Sequence, residues 1–149
     1  VNQDQVLSTG AELLVAGRLG AVSISGDLTL QNVKGVDADG TDVELEYEPV
    51  VVGKLGIDFP IPADFSLGGD ARYMGTQACE NPEVGGLQPL PPSVSADATL
   101  RRVFNIGRGG ALSRLAAPAS VRTLTDAAVF DQCGLPQPGR LLQIQFRVW

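Results

Sequence analysis

From Leu141 to Trp149 the chain alternates apolar and polar residues at period two, with Leu142, Ile144, Phe146 and Val148 on one face and Gln143, Gln145 and Arg147 on the other. Successive side chains of a strand point to opposite faces, so the pattern specifies a strand with one face in an apolar environment and one in water. The same dyad pattern recurs upstream. The expected class is therefore all-β, an antiparallel meander of about seven strands in a single β domain over residues 1–149.

The other segments make the pattern explicit. Ala11, Leu13, Val15, Gly17 and Leu19 alternate with Glu12, Leu14, Ala16 and Arg18, and Val22, Ile24, Gly26, Leu28 and Leu30 alternate with Ser23, Ser25, Asp27, Thr29 and Gln31. A third strand is expected from about Tyr47 to Phe59, with Lys54 and Asp58 opposite its apolar face. The fourth sets Phe65, Leu67, Ala71 and Tyr73 against Ser66, Asp70 and Arg72, and the fifth sets Val94, Ala96, Ala98 and Leu100 against Asp97, Thr99 and Arg101. The sixth, Leu112 to Leu124, contains Pro118, which cannot donate a ladder hydrogen bond, so that strand is expected to be bulged, at an edge or broken.

Short and long connections alternate strictly. The short ones are Gly20, Pro60 to Asp64 and about Asn105 to Ala111; the long ones are Lys34 to Glu46, Gly75 to Pro92 and Thr125 to Arg140. Hairpins with short turns at one end and long loops at the other are the layout of outer-membrane barrels. The face chemistry fits: Asp27, Lys54, Asp58, Asp70, Arg72, Asp97 and Arg101 stand near strand centres, where a barrel lumen accepts charge, and they are the candidate lumen-facing residues. The same residues also fit a soluble β-sandwich serving adhesion or ligand binding, in which the charges face bulk water and the apolar faces pack together. Tyr73, Phe65 and Trp149 are membrane-interface aromatics in the first architecture and buried aromatics in the second.

Composition narrows the function classes. The chain has no histidine, the commonest general base and metal ligand, so Ser95, Ser113 and Ser120 have nothing to activate them and no catalytic residue is assigned. A net charge of -6 with no basic cluster argues against nucleic acid as a partner. No run reaches the length of a membrane helix, and a mean hydropathy of +0.10 describes a chain that folds. Asp37, Asp39, Asp42 and Glu44 have the oxygen-rich look of a calcium loop but lack a bidentate Glu at the proper distance; the run is read as a solvated loop tip, and no metal or cofactor is assigned. Cys79 and Cys133 sit among Gly, Pro and Asn, which suggests exposed loops in an oxidising compartment and one disulfide between them.

Several short motifs carry a resemblance. They are Leu67-Gly68-Gly69-Asp70-Ala71-Arg72-Tyr73, Gly75 with an Asn81-Pro82 loop, and Leu90-Pro91-Pro92 leading into Asp97-Ala98-Thr99-Leu100-Arg101. Leu124-Thr125-Asp126, Gly139-Arg140 and, upstream, Gly10-Ala11-Glu12-Leu13 complete the set. In this order they resemble the C-terminal β-barrel segment of a TonB-dependent outer-membrane receptor, and the likeness covers nearly the whole chain.

The resemblance implies the last strands of a barrel of about 22 strands with a plugged lumen. It also implies a transport component of the outer membrane of a Gram-negative bacterium, taking up a siderophore or a similar scarce nutrient. Its partners would be outer-membrane lipid, the rest of the barrel and plug, and a small-molecule ligand. The family's plug and energy-coupling box have no counterpart in this sequence, and seven strands are too few and odd in number for closure, so one part of a larger assembly is expected. Members usually end on an aromatic of lipid-facing parity, whereas Trp149 shares parity with Arg147 and Gln145.

Overall fold

The computed structural model describes residues 5–81, 85–106, 114–125, 130–132, 135–136 and 138–148. Every element in them is a strand: β1 (Gln5–Leu19), β2 (Val22–Val36), β3 (Asp42–Val43), β4 (Val51–Ile61), β5 (Phe65–Met74), β6 (Gln77–Glu80), β7 (Leu87–Leu90), β8 (Ser93–Asn105), β9 (Arg114–Arg122), β10 (Phe130–Gln132), β11 (Leu135–Pro136), β12 (Leu141–Ile144) and β13 (Arg147–Val148). The main sheet runs β1-β2-β4-β5-β8-β9-β12, with each strand antiparallel to the one before it in the chain path. β13 continues β12 along β9, and β3 folds back on the end of β2. The sheet is an open antiparallel meander.

The dyad pattern accounts for the sheet's extent and the turns for its register. β1 and β2 pair without a break from Leu19↔Val22 to Gln5↔Val36. Their two-residue hairpin places Gly20 at φ 62°, the left-handed conformation that primed hairpin turns demand and glycine adopts without strain. These two strands run past the expected limits, because backbone ladder bonds continue where side-chain contrast fades, at Thr9, Asn32 and Lys34. The turns at Gly20 and at Ala63 and Asp64 lie at one end, where β8 also ends and β9 begins. At the other lie the long connections, two of which carry the hairpins β6–β7 and β10–β11.

Pro118 behaves differently from the sequence expectation. β9 is not an edge strand, and its register with β8 is unbroken from Asn105↔Arg114 to Ala98↔Val121. The carbonyl of Pro118 accepts from the Gln145 amide at 3.0 Å, so its missing N–H is lost on that same side. The interruption therefore falls on the partner, dividing the last strand into β12 and β13.

Almost nothing in the sheet is buried within the protein. The buried hydrophobic residues among those described are Ala78, Cys79 and Ala116. Cys79 is thus a fully buried residue of β6 and not part of an exposed loop, which corrects the sequence reading. At Ala78 and Cys79 burial arises where long connections meet: the Tyr47 amide donates to the Ala78 carbonyl at 2.9 Å, and the Glu80 amide to Glu46 Oε1 at 3.0 Å. Cys133 and the expected Cys79–Cys133 bridge lie outside the described residues, as do Ser113 and Trp149.

Candidate functional site

Directly opposed residues of an antiparallel pair share a face, so the register alone sorts the side chains. One row across the sheet reads Leu14, Asp27, Lys54, Arg72 and Ser95. The next reads Ser25, Gly56, Asp70 and Asp97, and a third Ser23, Asp58, Gly68, Thr99 and Ser120. Arg101 stands opposite Ser66 and Pro118 on the same side. All seven charged candidates, Asp27, Lys54, Asp58, Asp70, Arg72, Asp97 and Arg101, therefore come together on one face.

The other face is apolar. Its rows include Leu13, Leu28, Gly53 and Tyr73; Gly26, Leu55, Ala71 and Ala96; and Ile24, Ile57, Gly69, Ala98, Val121 and Leu142. Glycines here are covered by neighbours: a Cβ on Gly53 would meet Leu28 Cδ1 at 3.6 Å, and one on Gly69 would meet Ile57 Cγ2 at 3.6 Å. No second layer lies over this face among the described residues, and its large side chains stay exposed, with Leu55 at 58%, Leu142 at 67% and Phe146 at 74%. A sandwich would bury them. Phe65 and Tyr73 lie at opposite ends of β5 on this face.

At the long-loop end of the charged face a shallow concavity of about 640 Å³ is lined by Lys54, Asp70, Arg72, Asp97 and Arg122 with the turn at Thr123. Asp97 organises its rim. One carboxylate oxygen accepts from the Thr123 amide at 2.8 Å and the other lies 3.8 Å from Arg122 Nε. The charged hydrogen bond supports Thr123 at φ 55°, where a β-branched residue is strained. The adjoining chain is tied to β8 by the Leu124 amide on the Ala96 carbonyl at 2.7 Å. Arg122 was not among the charged candidates; its parity with Ser120 and Pro118 was the available signal once Pro118 is accepted inside an unbroken strand.

Among the described residues the arrangement offers mixed charge in an open surface. Ser95 and Ser120 lie among aspartate, arginine and threonine. In the first long connection, the Asp37 carboxylate accepts from the amides of Asp39 at 3.1 Å and Thr41 at 2.9 Å, closing the loop on itself. Lys34 pairs with Asp42 beside it. Among the described residues no group of three or more acidic or cysteine side chains is placed to hold a metal.

No protein-family model matches the sequence, and no curated protein matches it. Solved structures do. The chain matches the closed form of the ferric-catecholate import receptor Fiu of E. coli K12 with a TM-score of 0.69 and 25% identity, over 92% of this chain and 20% of that one. It matches the ferripyoverdine receptor of the Pseudomonas aeruginosa outer membrane, bound to ferripyoverdine, with a TM-score of 0.69 and 16% identity, over 95% of this chain and 19% of the other. The FpvAI–pyocin S2 complex gives a TM-score of 0.69 at 18% identity, over 95% and 20%. The chain spans about one fifth of these receptors, which are transport proteins and not enzymes. The antiparallel meander, its two unlike faces and these matches together give the chain the fold of a segment of the barrel wall of TonB-dependent outer-membrane receptors, here an open stretch of sheet.

Proposed function

We propose that this segment is the C-terminal part of the wall of a TonB-dependent receptor in the outer membrane of a Gram-negative bacterium. The receptor binds a siderophore or a comparable scarce nutrient, such as a cobalamin-like or glycan ligand, and imports it with energy from the inner membrane. The work of the segment is binding and gating, without catalysis. Its apolar face meets lipid, and Asp27, Lys54, Asp58, Asp70, Arg72, Asp97 and Arg101 face a lumen occupied by water and plug. The short turns face the periplasm and the long loops the outside, where Cys79 and Cys133 are joined.

The observation that carries this reading is the exposed apolar face on a single-layer sheet whose opposite face is charged. A continuous apolar face of this kind is costly in water and at home in hydrocarbon. The free edges of β1 and of the β12–β13 strand are rows of unpaired backbone groups, which hydrocarbon does not tolerate, so further strands of a barrel complete the wall. Ligand choice in such receptors comes from loops held by a rigid scaffold, and the concavity at Asp97 lies at the base of one of those loops.

The test is uptake under iron limitation in the host organism, with and without the gene, using radiolabelled ferric siderophores and cobalamin. Loss of energy-dependent uptake of one ligand, with the protein in the outer-membrane fraction, supports the reading. Unchanged uptake of every ligand together with a soluble protein rejects it.

A further inference from the structure

On the apolar face of β8 one residue breaks the rule. Arg102 lies opposite Phe65 and two residues beyond Leu100, so it shares a face with both, while its neighbour Arg101 points to the charged side. Its guanidinium carbon sits 4.8 Å from the centroid of the Phe65 ring and 4.7 Å from that of Phe104. The ion pairs among the described residues are Lys34 with Asp42 and Arg122 with Asp97, and none supplies Arg102 with a carboxylate. An exposed cation therefore stands on the face read as lipid-facing, steadied by two rings and with no carboxylate paired to it among the described residues.

Its depth says what the anion is. β8 descends from the long-loop end at Ser93 to the short-turn end at Asn105, and Phe65 is the first residue after the turn that follows Ile61. From Val94 to Arg102 the strand covers about 26 Å at 3.3 Å per residue, which at a barrel strand's tilt of about 40° is roughly 20 Å of height, most of the roughly 25 Å lipid-facing band. Arg102, near the short-turn end of β8, thus lies within a side chain's reach of the border of that band, where phospholipid phosphates lie. Ring contacts engage the cation's charge, and the five N–H donors of the guanidinium fork remain available to oxygen atoms of matching geometry.

We propose that Arg102, held by Phe65 and Phe104, binds the phosphate of a phospholipid headgroup in the leaflet at the short-turn end of the sheet. The proposal rests on the membrane-wall reading above. The rings limit the side chain's freedom before the lipid arrives, so less ordering is needed on binding. A bound headgroup would also fix the height of β5 and β8 in the membrane.

The experiment begins with fractionation of cells making the full-length protein. Recovery in the aqueous fraction rejects the membrane reading itself, before any lipid is measured. Membrane-extracted protein is then examined by native mass spectrometry with added phosphatidylglycerol, with diacylglycerol lacking the phosphate, and with inorganic phosphate as competitor. Wild type should retain one phosphatidylglycerol and not diacylglycerol. Arg102→Gln should weaken that retention roughly 5- to 10-fold, the scale of one basic contact at a membrane surface. Arg102→Lys should keep most of it, which separates loss of the charge from loss of the fold, and Phe104→Leu should fall between. Equal retention by wild type and Arg102→Gln overturns the site. So does complete displacement by millimolar inorganic phosphate, which would make it a site for the free anion.

Discussion

Replacing Leu55 with arginine separates lipid from every other environment for the apolar face. Leu55 lies midway along β4, is 58% exposed, and stands between Gly26 and Ala71, so a longer side chain meets no packed neighbour. Steric cost is therefore small, and what remains is the charge. At the middle of a bilayer an outward arginine costs about 2 to 4 kcal/mol, falling to about 0 to 1 kcal/mol near the interface. At 1.4 kcal/mol per decade this is roughly a 30-fold to several-hundredfold loss in the folding equilibrium constant for Leu55→Arg. Ile61→Arg, at the short-turn end of the same strand and face, should be nearly neutral. Asp27→Ser, on the charged face, should stay within about 0.5 kcal/mol. The assay is urea-dependent folding into lipid vesicles, read from the heat-modifiable band of the full-length protein. A neutral Leu55→Arg would mean that this face meets water; equal costs at Leu55 and Ile61 would mean that it packs against protein, where depth in a bilayer has no role.

Other substitutions test the packing of the charged face and the loops. Gly56→Val should cost about 1 to 3 kcal/mol, because its Cβ would lie 2.8 Å from Ser25 Oγ and 3.3 Å from Asp70 Oδ1, whereas Gly17→Ala, with nothing within 4 Å, should be mild; thermal loss of the heat-modifiable band compares them. Asp97→Ala removes the acceptor of the Thr123 amide and should speed proteolysis after Leu124, with a stability loss of about 1 to 3 kcal/mol. Cys79 and Cys133 should be joined, a constraint worth roughly 4 kcal/mol in the entropic model; two alkylatable thiols under non-reducing conditions would reject the bridge.

The sheet was legible because its signal is written at the level of single residues. Val22 to Leu30 and Phe65 to Tyr73 alternate without ambiguity, and once strands are antiparallel the register places Asp27 opposite Lys54 and Lys54 opposite Arg72 with no further information. The turn lengths placed the long connections at one end. What was illegible depends on partners distant in sequence. β1 and β2 continue past the apolar band because their backbone bonds persist where the regular alternation of apolar and polar side chains lapses. Cys79 is flanked by residues typical of surface loops, yet it is buried by contact between two separate connections. Pro118 damages the strand beside it and not its own, since the effect of a missing donor depends on which side the amide would have faced. Arg102 was not named from the sequence; alternation turns it away from Arg101, and the register adds that it lies opposite Phe65.

The central claim is that the two faces of this sheet meet different media, and a nitroxide scan along β4 tests it most directly. Single labels at Val52, Gly53, Lys54, Leu55, Ile57 and Asp58, in the full-length protein reconstituted in lipid, would be read for collision with oxygen, which concentrates in hydrocarbon, and with a water-soluble nickel chelate. The account predicts two alternations of period two in opposite phase: oxygen high at Gly53, Leu55 and Ile57, nickel high at Val52, Lys54 and Asp58. Nickel access at all six positions, or an oxygen maximum at Lys54 and Asp58, would contradict it.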